Sequence, residues 1–269
     1  MLPHVDPIGP PRAAQSGVAL VAALMLLAGC SSGGGGRDED MAGGSGVRRL
    51  LVVTHTTGFR HSSIPTAEQT LGELAARSGL WTTYCRTAEE VRRLLTPEGL
   101  RDFDAVFFAN TTGDLGVPEL PALLRWVQQG GAFLGAHSAA DTYHNQPAFL
   151  EMLGGQFRTH GEQTWVEVHV EDPTHPAVVH LAPRFRIFDE IYEFVDNPRR
   201  RAQILLSLDR HPDDGHPEAG MPGDFPLAWY RFYGQGRVFY TALGHREDVW
   251  QDERYRQHLL GALRWALAL

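Results

Sequence analysis

His137 lies in Gly-Gly-Ala-Phe-Leu-Gly-Ala-His-Ser-Ala-Ala-Asp, residues Gly130–Asp141, where an apolar run stops at two small residues and a polar side chain follows. A turn leaving a buried strand is where open α/β sheets place reactive groups. An imidazole there can exchange protons near neutral pH or ligate a cation. Glu190, in the pair Asp189-Glu190, and His245, after Gly244, join His137 as catalytic candidates. His61, His137, His160 and His245 form a candidate metal-ligand set, with Glu190 as a carboxylate ligand or general base. Zinc is the favoured metal, because it takes few N/O ligands and can leave one position for water or substrate. No local ligand motif joins these residues, so only the fold can bring them together. His55, Arg60, His61, Asn110, His160 and Trp229 are the candidate substrate contacts.

Each candidate has a plainer alternative. His137 can simply bond its turn, His61 can cap its loop, and His160 can satisfy backbone groups after Gly154-Gly155. His55 reads as an organiser of its loop, and Asp189 competes with Glu190 for the inward position. Trp165, Tyr192, Trp229 and Tyr230 suit a core as well as a sugar-facing wall. His169, His175, His211 and His216 sit among Pro, Asp and Gly residues that favour turns, with zinc recruitment in that insertion left open.

Composition removes several chemistries. All 24 Lys+Arg residues are arginine, which excludes a lysine Schiff base and a Walker-type phosphate lysine. A net charge of -8 with scattered arginines gives no footprint for nucleic acid. Gly33–Gly36 does not join a strand to a helix and Gly130-Gly131 is no dinucleotide fingerprint, so no organic cofactor is indicated. Of the two cysteines, Cys85 reads as a buried structural thiol.

The elements that must position the candidates follow from periodicity. Arg49–Thr54, Phe103–Ala109 and Gly131–Ala136 are continuous apolar runs expected as buried strands, and Trp81–Tyr84 as a shorter one. Ser63 is the expected cap of a helix carrying Ile64, Ala67, Leu71 and Leu74 on one face, and Thr87–Glu90 of a capping box. Pro118–Gln129 reads as a helix stopped by Gly130. Further strands are expected at Thr164–Val170, at an edge or in an excursion, at Ile187–Phe194 and at Ile204–Leu208. Arg210–Asp224 is expected as a turn-rich insertion. Leu227–Phe232 and Arg237–Thr241 flank a hairpin connection, and Glu253–Leu269 closes the chain as an amphipathic helix. Strand–helix alternation predicts a mostly parallel sheet covered on both faces, with His55, Asn110 and His137 at strand carboxyl ends.

Residues 1–30 read as an export signal, with a short apolar run at Gly17–Ala28. Leu27-Ala28-Gly29-Cys30 resembles a bacterial lipoprotein cleavage box, making Cys30 the lipidated first residue of the mature chain, although only Arg12 supplies basic charge before the run. Residues 31–46, rich in glycine and acidic residues, are expected as a flexible linker, and 47–269 as one domain. The expected address is the bacterial cell envelope, with lipid holding the protein to a membrane.

Several ordered segments resemble the trehalose-utilisation ThuA-like family of the class I glutamine-amidotransferase-like, flavodoxin-like fold group. They are Thr54–His61, Gly135–Asp141, Leu153–His160, His175-Pro176, Asp189–Phe194 and Gly236–His245. The resemblance implies a flavodoxin-like three-layer α/β sandwich with C-terminal family-specific excursions, and a role with a saccharide or keto-sugar such as trehalose or a 3-keto derivative. Amidotransferase relatives carry a cysteine at the strand-to-helix elbow where this chain has His137, so glutaminase chemistry is not expected. Isomerase, lyase and hydrolase chemistry all remain open, beside a non-catalytic carbohydrate-binding or structural surface role.

Overall fold

The computed structural model describes residues 47–269. The expected signal region, Cys30 and the linker lie outside the described residues. No helix among the described residues is long and apolar enough to cross a membrane.

The first half alternates as the periodicity predicts. Strand β1 (Arg49–Val53) leads through a polar loop to α1 (Ile64–Arg77), then β2 (Trp81–Cys85), α2 (Ala88–Leu94), α3 (Pro97–Leu100), β3 (Ala105–Ala109), α4 (Leu120–Gln128) and β4 (Ala132–Ala136). The Leu-Leu-Val-Val of β1 and every residue of β3 and β4 are buried, as strands covered on both faces require. Thr87 and Glu90 form the reciprocal capping box at α2. Ser63 does not cap α1 with its side chain. Its hydroxyl donates instead to the carbonyl of His245, 2.7 Å away.

A 3₁₀ turn at His137–Asp141 replaces an α-helix directly after β4, followed by α5 (Pro147–Leu153), β5 (Phe157–His160), β6 (Thr164–Val170), β7 (Arg184–Asp189) and β8 (Tyr192–Phe194). Then come β9 (Gln203–Arg210), β10 (Pro222–Tyr233), β11 (Gly236–Thr241), α6 (Glu247–Gln251) and α7 (Glu253–Leu267). Nine strands form one sheet in the order β2-β1-β3-β4-β11-β10-β9-β6-β7. The β2-β1-β3-β4-β11 portion is parallel, and the excursion strands extend it antiparallel. Helices α1, α6 and α7 pack together, while α3, α4 and α5 form a second run of neighbouring helices, consistent with a flavodoxin-like three-layer arrangement.

Of the two readings open for Thr164–Val170, an edge or an excursion, the excursion holds, whereas Ile187–Phe194 differs from the sequence reading. β6 is an interior strand between β9 and β7, because β7 takes the edge. Ile187–Phe194 does not form one strand: β7 ends at Asp189, and β8 begins at Tyr192 in a separate ribbon with β5. That break at Asp189-Glu190-Ile191 frees Glu190 from the ladder. The hairpin joining β10 to β11 is as predicted, with Gly234 at φ +63° supplying the left-handed turn residue.

Candidate active site

The site assembles where β1, β4 and β11 end and where β7 hands over to β8. His137 is the first residue after β4 and adopts φ +49°, a conformation costing a non-glycine residue about 1–2 kcal/mol. Its neighbours over-determine the strain. The Tyr240 hydroxyl donates to the His137 carbonyl at 2.6 Å, and His137 Nδ1 donates to the Ala242 carbonyl at 2.9 Å. That second bond fixes the tautomer of the neutral ring and leaves the Nε2 lone pair directed away from the turn.

His137 Nε2 stands 3.2 Å from His245 Nδ1 and 3.5 Å from Glu190 Oε1, and His245 Nδ1 is 3.2 Å from the same carboxylate oxygen. His61 meets His137 and His245 edge-on, with ring centroids 4.8 and 5.1 Å away. One ring nitrogen each from His61, His137 and His245 falls within a 4.8 Å cluster. Ser138 Oγ lies 3.4 Å from His61 Nδ1. Tyr192 packs against His137 with centroids 4.3 Å apart and closes the inner wall.

The loop bearing His245 is braced from three sides. Gly244 N–H donates to Asp189 Oδ2 at 2.7 Å, and the Gly244 carbonyl accepts from Asn110 Nδ2 and Trp250 Nε1, each at 2.8 Å. Gly244 has φ +115°, and a Cβ there would come within 2.7 Å of the Tyr255 hydroxyl, so only glycine fits. Asp189 is therefore the positioning member of the acidic pair and Glu190 the member that faces the histidines. Burial raises the Asp189 carboxyl to about 6, even against the opposing influence of His137 and the Gly244 N–H.

Burial also works to raise the Glu190 pKa, yet hydrogen bonds and charge from His137 and His245 outweigh it and hold the carboxyl far below its usual range. His245 shows the reciprocal effect: burial lowers it, but the bond to Glu190 prevails and its pKa rises. His61 is buried and faces other imidazoles, so desolvation first and then His137 and His245 bring it down to about 3. The site thus holds an anionic carboxylate against a neutral His61 at neutral pH.

These residues can hold a divalent cation. His61, His137 and His245 offer nitrogen ligands and Glu190 an oxygen, and the carbonyl behind His137 Nδ1 is the partner that a metal-binding imidazole requires. His160 is set differently from the expected ligand role. Its Nδ1 lies 3.2 Å from Glu190 Oε2 and 2.9 Å from the Gly161 carbonyl, so it engages the far side of the carboxylate, outside the three-histidine cluster. Its ring is half-exposed.

The substrate-contact candidates separate. Trp229 is corrected to a core residue: it is completely buried, its indole N–H donates to the Leu153 carbonyl at 2.8 Å, and it packs against Phe194 and Tyr240. Asn110 is likewise corrected. It is completely buried and joins Ser63 to Gly244 as a brace between two site loops. His55 and Arg60 share the loop of His61 but make no hydrogen bond, ion pair or ring contact with the cluster. Arg60 donates to the Thr54 carbonyl, and His55 is held down by burial and by the charges of Arg60 and Arg92. Phe59 was missed by the sequence reading. It is exposed and meets His61 edge-on at 4.8 Å, and its only sequence signal was an aromatic residue in a polar glycine-containing loop.

A surface cleft of about 620 Å³ runs past Trp165, Ile187, Phe188, Arg246 and Asp248. It adjoins His245 through Arg246, but no clustered histidine lines it, so the chemistry rather than cleft size identifies the site. Cys85 is buried, with its thiol pushed up to about 12 by desolvation, as befits a structural residue.

An α/β sheet whose parallel β2-β1-β3-β4-β11 portion carries a histidine and carboxylate centre at its strand ends defines a flavodoxin-like protein with the means for proton transfer or cation binding. The chain belongs to the ThuA family, described as trehalose utilisation, whose profile matches residues 49–266. That membership gives it a carbohydrate-related role. It is similar to a ThuA-like protein from Bacteroides uniformis at 23% identity, covering 81% of this chain and 91% of that one, with a TM-score of 0.66. A ThuA-like protein from Parabacteroides merdae is similar at 18% identity, over 82% and 90% of the two chains, with a TM-score of 0.67. Part of a β-galactosidase from Bacillus circulans shares the fold at 13% identity and a TM-score of 0.52, over 82% of this chain and 30% of that one. No curated relative matches the chain.

Proposed function

We propose that the protein is a carbohydrate-active enzyme that moves a proton on a disaccharide or keto-sugar derivative. The observation that carries this reading is Glu190 Oε1 lying within 3.5 Å of nitrogen atoms on both His137 and His245. Glu190 is held anionic and serves as the base toward a carbon acid or a water. With no cation between them, His245, whose pKa is raised, returns the proton; a bound metal would take that nitrogen instead. His160 faces the outer carboxylate oxygen and is placed to pass protons to solvent. Phe59 offers an apolar face to a sugar ring beside His61.

His61, His137 and His245, with Glu190, are the residues that would hold a divalent metal, zinc foremost. Such a cation polarises a carbonyl or lowers the pKa of water. The mature protein works in the cell envelope, held to a membrane through lipid on Cys30, and meets its saccharide there. The test is a screen of keto-disaccharides by product mass with metal-depleted and reconstituted protein. Product from the reconstituted protein alone supports the metal-assisted reading. Equal turnover in both states rejects metal dependence, and stoichiometric saccharide binding without product replaces the enzyme with a binding module.

A further inference from the structure

We propose a second metal site, separate from the first, formed by Glu193 of β8 with His211 and His216 on the excursion between β9 and β10. Glu193 and His211 are buried, while His216 opens toward solvent. One ligand atom from each of the three lies within a 4.8 Å cluster. Three features point to a cation rather than to a chance ion pair.

His211 Nδ1 donates to the carbonyl of Pro212 at 2.9 Å, which turns Nε2 toward Glu193 Oε1, 2.8 Å away. A carbonyl behind one ring nitrogen is the partner that orients a metal-binding imidazole, and the other nitrogen here faces the carboxylate that would share the cation. The two oxygens of Glu193 are also divided in purpose. Oε2 pairs with Arg158, whereas Oε1 faces both His211 and His216 Nδ1, the latter at 3.5 Å. The carboxylate is thereby oriented for monodentate ligation. Finally, Asp214 is buried with Oδ1 3.8 Å from His216 Nδ1, and Glu218 reaches to 4.0 Å from His211 Nε2 on the open side, so further carboxylate charge surrounds the three ligands. Two imidazoles and a carboxylate with a solvent-facing position suit zinc.

The site has a structural purpose. The Asp214 carbonyl accepts from Glu162 N–H, and the Asp214 carboxylate packs so closely on Gly161 that a Cβ there would lie 2.3 Å from its Cγ. The excursion therefore already rests on the turn after β5. A metal bound by Glu193 of β8 and by His211 and His216 fastens that excursion to the ribbon whose other residues, His160 and Tyr192, build the first site. Tyr192 and Glu193 are successive strand residues and point to opposite faces, which keeps the two centres apart.

The test uses the full chain, stripped with chelator and titrated with zinc and with cobalt(II). Metal content, calorimetric stoichiometry and the visible spectrum of cobalt are read for wild type, His216→Ala, His211→Ala and, as a control on the first site, His245→Ala. His216 is partly exposed and its ion-pair and ring contacts are with Glu193, Asp214 and His211 of the proposed site itself, so His216→Ala is expected to retain the fold, as circular dichroism of the stripped protein verifies. The expected result is loss of one metal equivalent, or at least tenfold weaker binding of it, in both His216→Ala and His211→Ala. That equivalent and its cobalt bands persist in His245→Ala. Zinc stoichiometry and affinity in His216→Ala equal to wild type overturn the proposal, as does wild type that takes up no metal beyond what His245→Ala abolishes.

Discussion

His137 Nε2 and His245 Nδ1 face each other across 3.2 Å, with Glu190 Oε1 within 3.5 Å of both. Because His137 Nδ1 is committed as a donor to Ala242, its Nε2 in the neutral ring is an acceptor, like the carboxylate oxygen beside it. Two acceptors so near each other demand a shared proton from His245 or a cation.

Tyr240→Phe tests how that strain is held. The buried hydroxyl is the donor to the His137 carbonyl, so its removal leaves a buried acceptor unsatisfied. The expected cost is about 1–3 kcal/mol in urea unfolding, with the elbow repositioned and turnover falling by more than the unfolded fraction explains. Unchanged stability and turnover would show that Ala242 alone holds the elbow.

Trp229 and Phe59 should respond in opposite ways. Trp229→Ala empties a fully buried site and is expected to cost roughly 3–5 kcal/mol. Phe59→Ala removes an exposed ring and is expected to leave stability within about 0.5 kcal/mol while weakening saccharide binding. Paired denaturation and calorimetric titration distinguish the two roles.

Much of this architecture is legible in the sequence because local patterns carry it. The apolar runs of β1, β3 and β4, the Thr87–Glu90 box and the Tyr233–Gly236 hairpin are each set by neighbours in the chain. Likewise, His137 and His245 stand out as polar residues where strands stop, whereas Glu190 is legible only as one of an acidic pair inside a single expected strand. What escaped notice depends on distant contacts. Trp229 is covered by Phe194 and bonded to the Leu153 carbonyl, both distant in sequence, as well as packed on its hairpin partner Tyr240, so nothing local told a core tryptophan from a sugar platform. Ser63 sits in a proper cap position, but its hydroxyl is claimed by His245 and Asn110 from across the sheet. The break between β7 and β8 is similarly tertiary: β7 pairs with β6 while β8 pairs with β5.

His258 sets a pH dependence of stability. Burial lowers its pKa from 6.5 to about 4, although the Ala177 carbonyl bound to Nδ1 opposes the shift. Its Nε2 is buried without a partner, so a proton there would be an uncompensated charge. As pH falls below 6.5 the unfolded chain binds this proton before the folded one does. The contribution is therefore full above 6.5 and is lost progressively down to about 4, on the order of 3 kcal/mol at the limit. Urea titrations at several pH values should show this decline in wild type and a shallower one in His258→Gln.

Cys30→Ser addresses the envelope assignment. Intact mass and detergent partitioning of the protein from a bacterial host are expected to show a diacylglyceryl-bearing, membrane-associated mature chain for wild type and an unlipidated product for the variant. An unprocessed Met1 without a lipid adduct in wild type would sink the assignment.

The most direct measurement is turnover of keto-disaccharides by metal-reconstituted Glu190→Gln beside wild type, with circular dichroism confirming that both are folded. Losing the carboxylate charge that His137 and His245 surround should lower the rate by about 10²–10⁴-fold. Turnover equal to wild type in the folded variant would contradict the account.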